Sequence, residues 1–245
     1  MCIIICKPEG VDFPSLEILE TCEIANPDGA GIAYIENEKV VIKKDFKSAF
    51  DLHSFTNGLS TKAPAIIHFR IATSGKVDMG NRHPFPLSPV LSDLRALNIT
   101  TDMAIEHHGI LFDMPKLSKK SDTQLFIIEA LCDPLIKNNL NNIAVQNLIE
   151  LFFQASNSKC AILDGKTNKL FMFGDFISDS GLFFSSTVYK GCYNWKDKYT
   201  YWNEIDTCVY CGKDFWNDKK AFISWEQETI CDNCLDYLNR DFMCK

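Results

Sequence analysis

The chain begins Met1-Cys2-Ile3-Ile4-Ile5-Cys6, a short β-branched run headed by a cysteine. Methionine aminopeptidases remove the first residue efficiently when the second side chain is small, so we expect Cys2 to become N-terminal. Its free α-amine would have a pKa of about 7.7–8.0 and could act as the base for its own thiol. A strand would hold both groups in place. The alternative is that Cys2 is a small buried apolar residue.

Composition excludes several classes of protein. Of the 245 residues, 46% are hydrophobic and 23% are charged, which is ordinary for a globular chain with a sizeable core. The net charge of −7 argues against broad binding to nucleic acid or anionic membranes. No apolar run is long enough for a transmembrane helix, and no basic region precedes the first apolar run as in a signal peptide. Eleven cysteines, with two CxxC pairs, favour a reduced cytoplasmic protein with a metal site.

Periodicity predicts an α+β domain, because strands lie at both ends of the first 190 residues with helices between them. Predicted strands cover 2–6, 30–35, 40–42, 65–72, 103–111, 160–163, 170–173 and 181–186. Predicted helices cover 14–24, 47–58, 121–131 and 143–155. Ser15 is a candidate cap, and Ser121 and Gln124 have capping-box spacing.

Polar residues gather where these strands end and helices begin. Arg70 precedes a Gly-containing loop and could hold a carboxylate in its planar fork, or extend to solvent from an edge strand. His107 and His108 are adjacent on a strand, so they face opposite ways and cannot both bind one ion. Gly109 allows a ligand to approach the backbone closely. Asp122 is either a helix-capping carboxylate or a partner for a substrate ammonium group.

Six motifs, in this order, resemble the class II glutamine amidotransferase domain. They are Cys2, Asn26-Pro27-Asp28-Gly29-Ala30-Gly31, His68-Phe69-Arg70-Ile71-Ala72-Thr73-Ser74-Gly75, His83-Pro84-Phe85, His107-His108-Gly109-Ile110 and Ser121-Asp122. The resemblance spans roughly residues 2–190. It implies the N-terminal nucleophile (Ntn) hydrolase fold, a four-layer α/β/β/α sandwich of two antiparallel sheets between helical layers.

The resemblance also implies a role for each site residue. The Cys2 thiolate attacks the glutamine side-chain amide, its α-amine shuttles the proton, and water releases glutamate from a thioester. Arg70 holds the substrate α-carboxylate with help near Thr73, and Asp122 holds the α-ammonium. The N–H of Gly109 stabilises the oxyanion. His83 lies in a loop bordering the glutamine pocket and is assigned a structural role.

His108 departs from the family pattern, which has Asn before this glycine as the second oxyanion donor. An imidazole N–H can also donate, but its reach and pKa differ. The sequence therefore leaves three functions open: glutamine amide hydrolysis, hydrolysis of another amide by an Ntn enzyme, and an inactive Ntn-fold binding protein acting through its C-terminal region.

The cysteine spacing of the C-terminal region predicts a zinc ribbon. Residues 191–206 form an aromatic and polar linker. Residues 207–245 carry Cys208-x2-Cys211 and Cys231-x2-Cys234, with nineteen residues between the two pairs. Four thiolates complete a tetrahedral structural Zn²⁺ site, and a domain this short usually needs such support. The alternative is disulfides or unrelated pairs.

Charge in this region favours protein docking over nucleic-acid binding. From residue 207 onward, five Lys or Arg face seven Asp or Glu, a net charge of about −2 and a poor match to phosphate. No synthetase domain or phosphate-binding glycine loop follows residue 190. The expected partner is therefore a separate synthetase that binds through the ribbon and uses the ammonia.

Overall fold

The computed structural model describes residues 2–71, 79–111 and 120–191, together with the backbone of 221–223 and 229–231. The chain divides into two compact units, Met1–Tyr189 and Lys190–Lys245. The second unit contains one described antiparallel hairpin, whose strands β12 and β13 cover Ala221–Ile223 and Thr229–Cys231. Among the described helices, none is long and apolar enough to cross a membrane.

The first unit is mixed α+β with two antiparallel sheets. The seven-stranded sheet has the order β10-β11-β1-β4-β2-β3-β6, and the four-stranded sheet has the order β5-β7-β8-β9. The strands of the larger sheet are β1 Ile3–Lys7, β2 Ala30–Glu36, β3 Lys39–Lys43, β4 Ala65–Phe69, β6 Asn98–Thr101, β10 Ile177–Asp179 and β11 Leu182–Phe184. Those of the smaller sheet are β5 Phe85–Pro86, β7 Met103–His108, β8 Lys159–Asp164 and β9 Lys169–Phe173.

Helices begin where the sequence supplies caps. Ser15 accepts a hydrogen bond from the N–H of Ile18, and Ser121 and Gln124 form the predicted capping box. Both cap predictions are confirmed. The helices are α1 Leu16–Ala25, α2 Ala49–Thr56, α3 Leu91–Arg95, α4 Asp122–Phe126, α5 Pro134–Lys137 and α6 Ile143–Ala155, with a π-helical turn at Ile127–Leu131 and 3₁₀ turns at Met79–Asn81 and Thr187–Lys190.

Three apolar clusters hold these elements together. One lies between α1, α2 and the larger sheet and includes Ile3, Ile5, Leu19, Cys22, Ala49 and Leu52. A second lies between the smaller sheet and α4, the π-helical turn and α6, and includes Ile105, Ile162, Phe126, Ile127 and Phe153. The third joins the two sheets through Ile4, Cys6, Ile42, Ile66, Ala104, Ala161 and Leu163. Alternate residues of β1 and β7 therefore face opposite layers, as strand geometry requires.

Three strands are shorter than predicted, and one of them, predicted over 181–186, is β11 at Leu182–Phe184. The prediction extended β4 to residue 72, but the strand ends at Phe69, and Arg70 bonds to the turn before β2 through Arg70 N–H to Gly29 O and Asp28 N–H to Arg70 O. The prediction extended β7 to residue 111, but it ends at His108. The backbone at Gly109 has a φ of 126°, which is incompatible with a continuing strand.

Glu106 is a buried carboxyl group on the inter-sheet face of β7. The residue is 0% exposed, and neither carboxyl oxygen has a hydrogen-bond partner among the described residues. Burial raises the pKa of Glu106 well above its ordinary value. The folded protein therefore binds this proton more tightly than the unfolded chain does. The resulting stability is complete below the unfolded pKa of about 4.5 and is lost as the pH rises toward the pKa of the folded state.

Replacing Glu106 with methionine is expected to raise the free energy of unfolding at pH 7 by on the order of 1–3 kcal/mol, because an unpaired polar group leaves the core. The gain should shrink as the pH is lowered toward 4. Urea unfolding at several pH values measures both effects. Glu150→Met is the control, since the Glu150 carboxylate accepts a hydrogen bond from Gly174 N–H and its loss should give no gain. A less stable Glu106→Met variant would contradict the prediction.

Candidate functional site

Cys2 lies at the start of β1, directly beside the end of β4. The two strands are antiparallel with Ile3 opposite Phe69, and continuing that register by one residue places Cys2 opposite Arg70. The Cys2 Sγ atom lies 3.5 Å from both the backbone nitrogen and the carbonyl oxygen of Ile71. The predicted nucleophile and the predicted carboxylate-binding arginine are therefore neighbours at one end of the larger sheet.

Strand alternation directs Cys2 and Arg70 to the same face. Ile4 and Cys6 of β1 and Ile66 of β4 all lie in the cluster between the two sheets. Cys2 and Arg70 have the same parity in their strands, so they lie at the end of that inter-sheet layer. Both residues are half-buried.

The Cys2 thiol is not intrinsically acidic. Burial raises its pKa above the ordinary value, and the hydrogen bond from Ile71 and the positive charge of Arg70 offset only part of that increase. Near neutral pH the group is therefore mainly a thiol, which is a poor nucleophile until a base removes its proton.

His107 and His108 point in opposite directions, so this prediction is confirmed. The His107 Nδ1 atom lies 2.9 Å from Thr123 Oγ1, on the side of the smaller sheet that carries α4. His108 faces the inter-sheet layer, where its Nδ1 atom lies 2.8 Å from Ser185 Oγ. Burial lowers the pKa of His107 to about 4, and burial together with the charge of Lys159 lowers the pKa of His108 to about 3. Both rings are neutral at neutral pH.

Glycine is the only residue type that fits at position 109, in the turn after His108. Its φ is 126°, and a Cβ atom there would lie 2.3 Å from Ser158 Oγ. Within the part of the chain that the structure describes, the Gly109 N–H has no hydrogen-bond partner. This N–H could therefore donate to a ligand.

Asp122 fixes the segment that follows Gly109. Its carboxylate accepts hydrogen bonds from Leu111 N–H at 3.0 Å and from Thr123 N–H at 2.7 Å. Thr123 in turn contacts His107. The carboxylate thus acts at the helix start, as the structural alternative predicts, and it also borders the turn at Gly109. The Thr123 hydroxyl adds a longer contact at 3.4 Å, and a carboxylate has further lone pairs, so these bonds do not exclude another donor.

His83 packs inside the protein. Its ring centroid lies 4.4 Å from that of His68 and 4.5 Å from that of Phe85. Neither ring nitrogen of His83 has a hydrogen-bond partner among the described residues, and burial lowers the pKa of both His83 and His68 well below the ordinary value. Gly31 permits this approach, because a Cβ atom there would lie 2.1 Å from the His83 carbonyl oxygen.

Sequence reasoning missed two residues that build the site. Arg82 donates to the carbonyl oxygens of Asp28 and Lys44 at 3.1 and 3.2 Å, which braces the turn that bonds to Arg70. Ser185 contacts both β1 and His108. Arg82 was detectable as a charged neighbour of His83, whereas no sequence pattern marks Ser185.

Several predicted residues lie outside the described part of the chain. These are Thr73 and the metal-ligand candidates Cys208, Cys211 and Cys234, while Cys231 is described only as backbone at the end of β13. Among the described residues, no three or more His, Cys, Asp or Glu side chains are grouped so as to hold a metal ion. One pocket of the first unit is lined by Glu23, Asp45, Phe46, Lys47 and Arg82, among others, and none of the predicted site residues borders it.

Comparison with known proteins gives no assignment, since the chain matches no protein-family model and no curated protein has significant sequence similarity to it.

Proposed function

We propose that the protein hydrolyses the side-chain amide of glutamine through Cys2 and supplies the ammonia to a separate acceptor enzyme. The observation that carries this proposal is the position of Cys2 opposite Arg70, on the face where the two sheets meet. A thiol beside a guanidinium can attack a carbonyl carbon of a substrate whose carboxylate the arginine binds. The packing of α1 and α2 on one sheet and of α4 and α6 on the other supports the four-layer Ntn-hydrolase sandwich as the fold.

The reaction needs Met1 to be removed, so that the Cys2 α-amine is free. This amine takes the thiol proton as sulfur attacks the amide carbon, and it then delivers the proton to the departing ammonia. The resulting glutamyl thioester is hydrolysed by water to release glutamate and regenerate the thiol. The raised pKa of the buried thiol supports this division of labour, because little thiolate forms without a base.

Substrate recognition is assigned to groups around the thiol. Arg70 binds the α-carboxylate of glutamine in a two-point fork, with help near Thr73. Asp122 binds the α-ammonium through lone pairs that Leu111 and Thr123 leave available. His83 supports the pocket rather than contacting substrate, which agrees with its burial between His68 and Phe85.

The oxyanion of the tetrahedral intermediate is assigned to the N–H of Gly109. One such donor is worth roughly 2.7–4 kcal/mol where it has been removed from other enzymes. His108 is the candidate second donor, and it would act through Nε2 because its Nδ1 atom is bound to Ser185.

The test is glutamate release from glutamine by the processed protein, with a Cys2→Ala variant and a Cys132→Ala control. Cys132 is half-buried like Cys2, lies between the π-helical turn and α5, and is not one of the predicted site residues. A glutamine-mimicking electrophile should label Cys2 and leave Cys132 unmodified. Absence of both glutamate release and Cys2 labelling would reject the proposal.

A second candidate is an Ntn-fold binding protein without catalytic activity, acting through its C-terminal region. The hydrogen bond between His108 and Ser185 favours it. One nitrogen of the imidazole that stands where the family has asparagine is already bonded within the protein. Mass spectrometry of the purified protein separates the two, since a retained Met1 blocks the α-amine. Activity on another amide but not on glutamine would identify a different Ntn amidohydrolase.

The C-terminal unit is proposed to bind a structural Zn²⁺ ion and to dock the acceptor synthetase in the cytoplasm. Four cysteine thiolates in two CxxC pairs suit tetrahedral Zn²⁺. The β12–β13 hairpin supports this reading, because it puts Cys231 at a strand end, as in a zinc knuckle. Cys208, Cys211, Cys231 and Cys234 would hold the ion, which would supply folding stability and no catalysis.

Metal analysis of the purified protein is expected to give about one zinc per chain. Cys208→Ser should lower the zinc content strongly and reduce binding of candidate synthetases, whereas the Cys132→Ser control should leave both unchanged. Full zinc content in Cys208→Ser would show that the ligands lie elsewhere.

A further inference from the structure

Ser185 makes an unusual set of hydrogen bonds with Ile4, which lies two residues after Cys2. Strand β11 pairs with β1 with Ile5 opposite Phe184, so the next pair is Ile4 and Ser185. The Ser185 N–H donates to the Ile4 carbonyl at 3.0 Å. The Ile4 N–H, however, donates to the Ser185 hydroxyl at 2.8 Å rather than to its carbonyl.

The bond from the Ile4 N–H to the Ser185 hydroxyl ends the pairing between β1 and β11. In a regular antiparallel ladder the two residues of a hydrogen-bonded pair exchange both N–H to carbonyl bonds. Here the side-chain oxygen replaces the backbone acceptor, and the Ser185 carbonyl turns to accept from Lys159 Nζ of the other sheet. The chain then enters the 3₁₀ turn at Thr187–Lys190, so β11 does not continue alongside Cys2.

The same hydroxyl reaches the second sheet. Ser185 Oγ lies 2.8 Å from His108 Nδ1, and both residues are buried, at 1% and 5% exposure. A hydroxyl has one donor and two acceptor positions, so it can accept from Ile4 and donate to the neutral imidazole at the same time. The Ser185 side chain thus connects β1, which directly follows Cys2, with the end of β7 beside Gly109, and the Ser185 carbonyl adds a bond to Lys159 of β8.

We propose that Ser185 is a positioning residue for Cys2: its hydroxyl stops strand pairing at Ile4, which leaves one edge of Cys2 open to substrate, and it locks His108 beside the nucleophile. This role rests on the proposed function. It also gives the His108 ring a fixed orientation, because the hydroxyl holds its Nδ1 atom. The low pKa of His108 is consistent with a neutral ring held by the hydroxyl.

The experiment uses Ser185→Ala, His108→Ala, the double variant and Ser185→Thr, with Ser186→Ala as the matched control. The Ser186 hydroxyl is buried without a hydrogen-bond partner among the described residues, so its removal should change little. For each variant, kcat and KM for glutamate release are measured, together with the rate at which iodoacetamide modifies Cys2, mapped by peptide mass spectrometry.

Ser185→Ala is expected to lower kcat on the order of 10- to 100-fold with an almost unchanged KM, since a small displacement of a reacting group has effects of this size. Ser185→Thr keeps the hydroxyl and should retain most of the activity. Because Ser185 and His108 act as one unit, the double variant should be no slower than the slower single variant. Losses that multiply, or a threonine variant as slow as the alanine variant, would overturn the proposal.

The alkylation rate separates this proposal from the proposed function. If the wild-type protein releases no glutamate, the hydrolase assignment fails, but a faster alkylation of Cys2 in Ser185→Ala would still establish the positioning role. An alkylation rate equal to or lower than that of the wild type would reject the role whatever the glutamate assay gives. If Ser185→Ala does not fold, as judged by circular dichroism, the same alkylation comparison is made with His108→Ala alone.

Discussion

Glutamate release is expected to fall on the order of 10⁴-fold or more when Cys2 is replaced by alanine, because the reaction loses its nucleophile. Alanine is also small, so Met1 should still be removed and the α-amine retained. The variant therefore tests the role of the Cys2 sulfur while the α-amine of the same residue stays in place. Cys2 contributes only a weak sulfur contact with Ile71, so the fold should keep its stability.

Two further variants sharpen this prediction. Cys132→Ala removes another half-buried thiol and should leave the rate unchanged. Arg70→Lys keeps the positive charge but loses the planar fork, so it should raise KM for glutamine more than it lowers kcat. The rates are measured by coupled glutamate detection at saturating and at low glutamine. A Cys2→Ala protein with wild-type activity would mean that another residue carries the chemistry.

Local sequence signals predicted most elements of the first unit. The β-branched run at residues 3–5, the apolar start at 103–105 and the capping box at Ser121 and Gln124 each act over a few residues, and each element formed where its pattern lies. Strand β6 was missed because Asn98-Ile99-Thr100-Thr101 is mostly polar and lies at the sheet edge, where only one neighbour, β3, specifies it. Edge strands of this kind have little hydrophobic alternation to detect.

The site was predictable where one strand sets the geometry, as for the opposite directions of His107 and His108. It was not predictable where partners come from distant parts of the chain. The Ser185 hydroxyl meets the Ile4 N–H across 181 positions of sequence, and the partner of His108 is 77 positions away. A serine at the end of a short strand gives no indication of such contacts, because they depend on how two sheets stack. The same reason hides Glu106, because a carboxyl residue on a strand gave no sign that both faces of β7 would be covered.

Acid is expected to destabilise the first unit because four buried histidines are held neutral. Burial lowers the pKa of His68 and His83 well below the ordinary value, that of His107 to about 4 and that of His108 to about 3. In the unfolded chain these groups titrate near 6.5. Between pH 6.5 and the folded values the unfolded state binds more protons, so stability is complete above pH 6.5 and is lost as pH falls.

The effect is large compared with the stability of a typical domain. Lowering the pH from 6.5 to 4.5 should cost on the order of 5 kcal/mol from His107 and His108 alone, since each tenfold change in proton concentration contributes about 1.4 kcal/mol per group. Domains are stable by only about 5–15 kcal/mol. Glu106 opposes the trend, because its raised pKa favours the folded state in acid, but it is one group against four.

Urea unfolding at pH 7, 6, 5.5 and 5 tests this expectation through the slope of the unfolding free energy against pH. The slope gives the number of protons taken up on unfolding. His83→Phe should lower that number by close to one, because phenylalanine can pack between His68 and Phe85 without titrating. His53→Gln is the matched control, since His53 lies on α2 outside the buried cluster and is only half-buried. An unfolding free energy that stays constant from pH 7 to 5 would mean that the four rings accept protons as readily in the folded protein as in the unfolded chain. In that case the buried histidines would carry positive charge inside the folded protein at pH 5, and the neutral His108 ring assigned to the Ser185 hydroxyl would be contradicted as well.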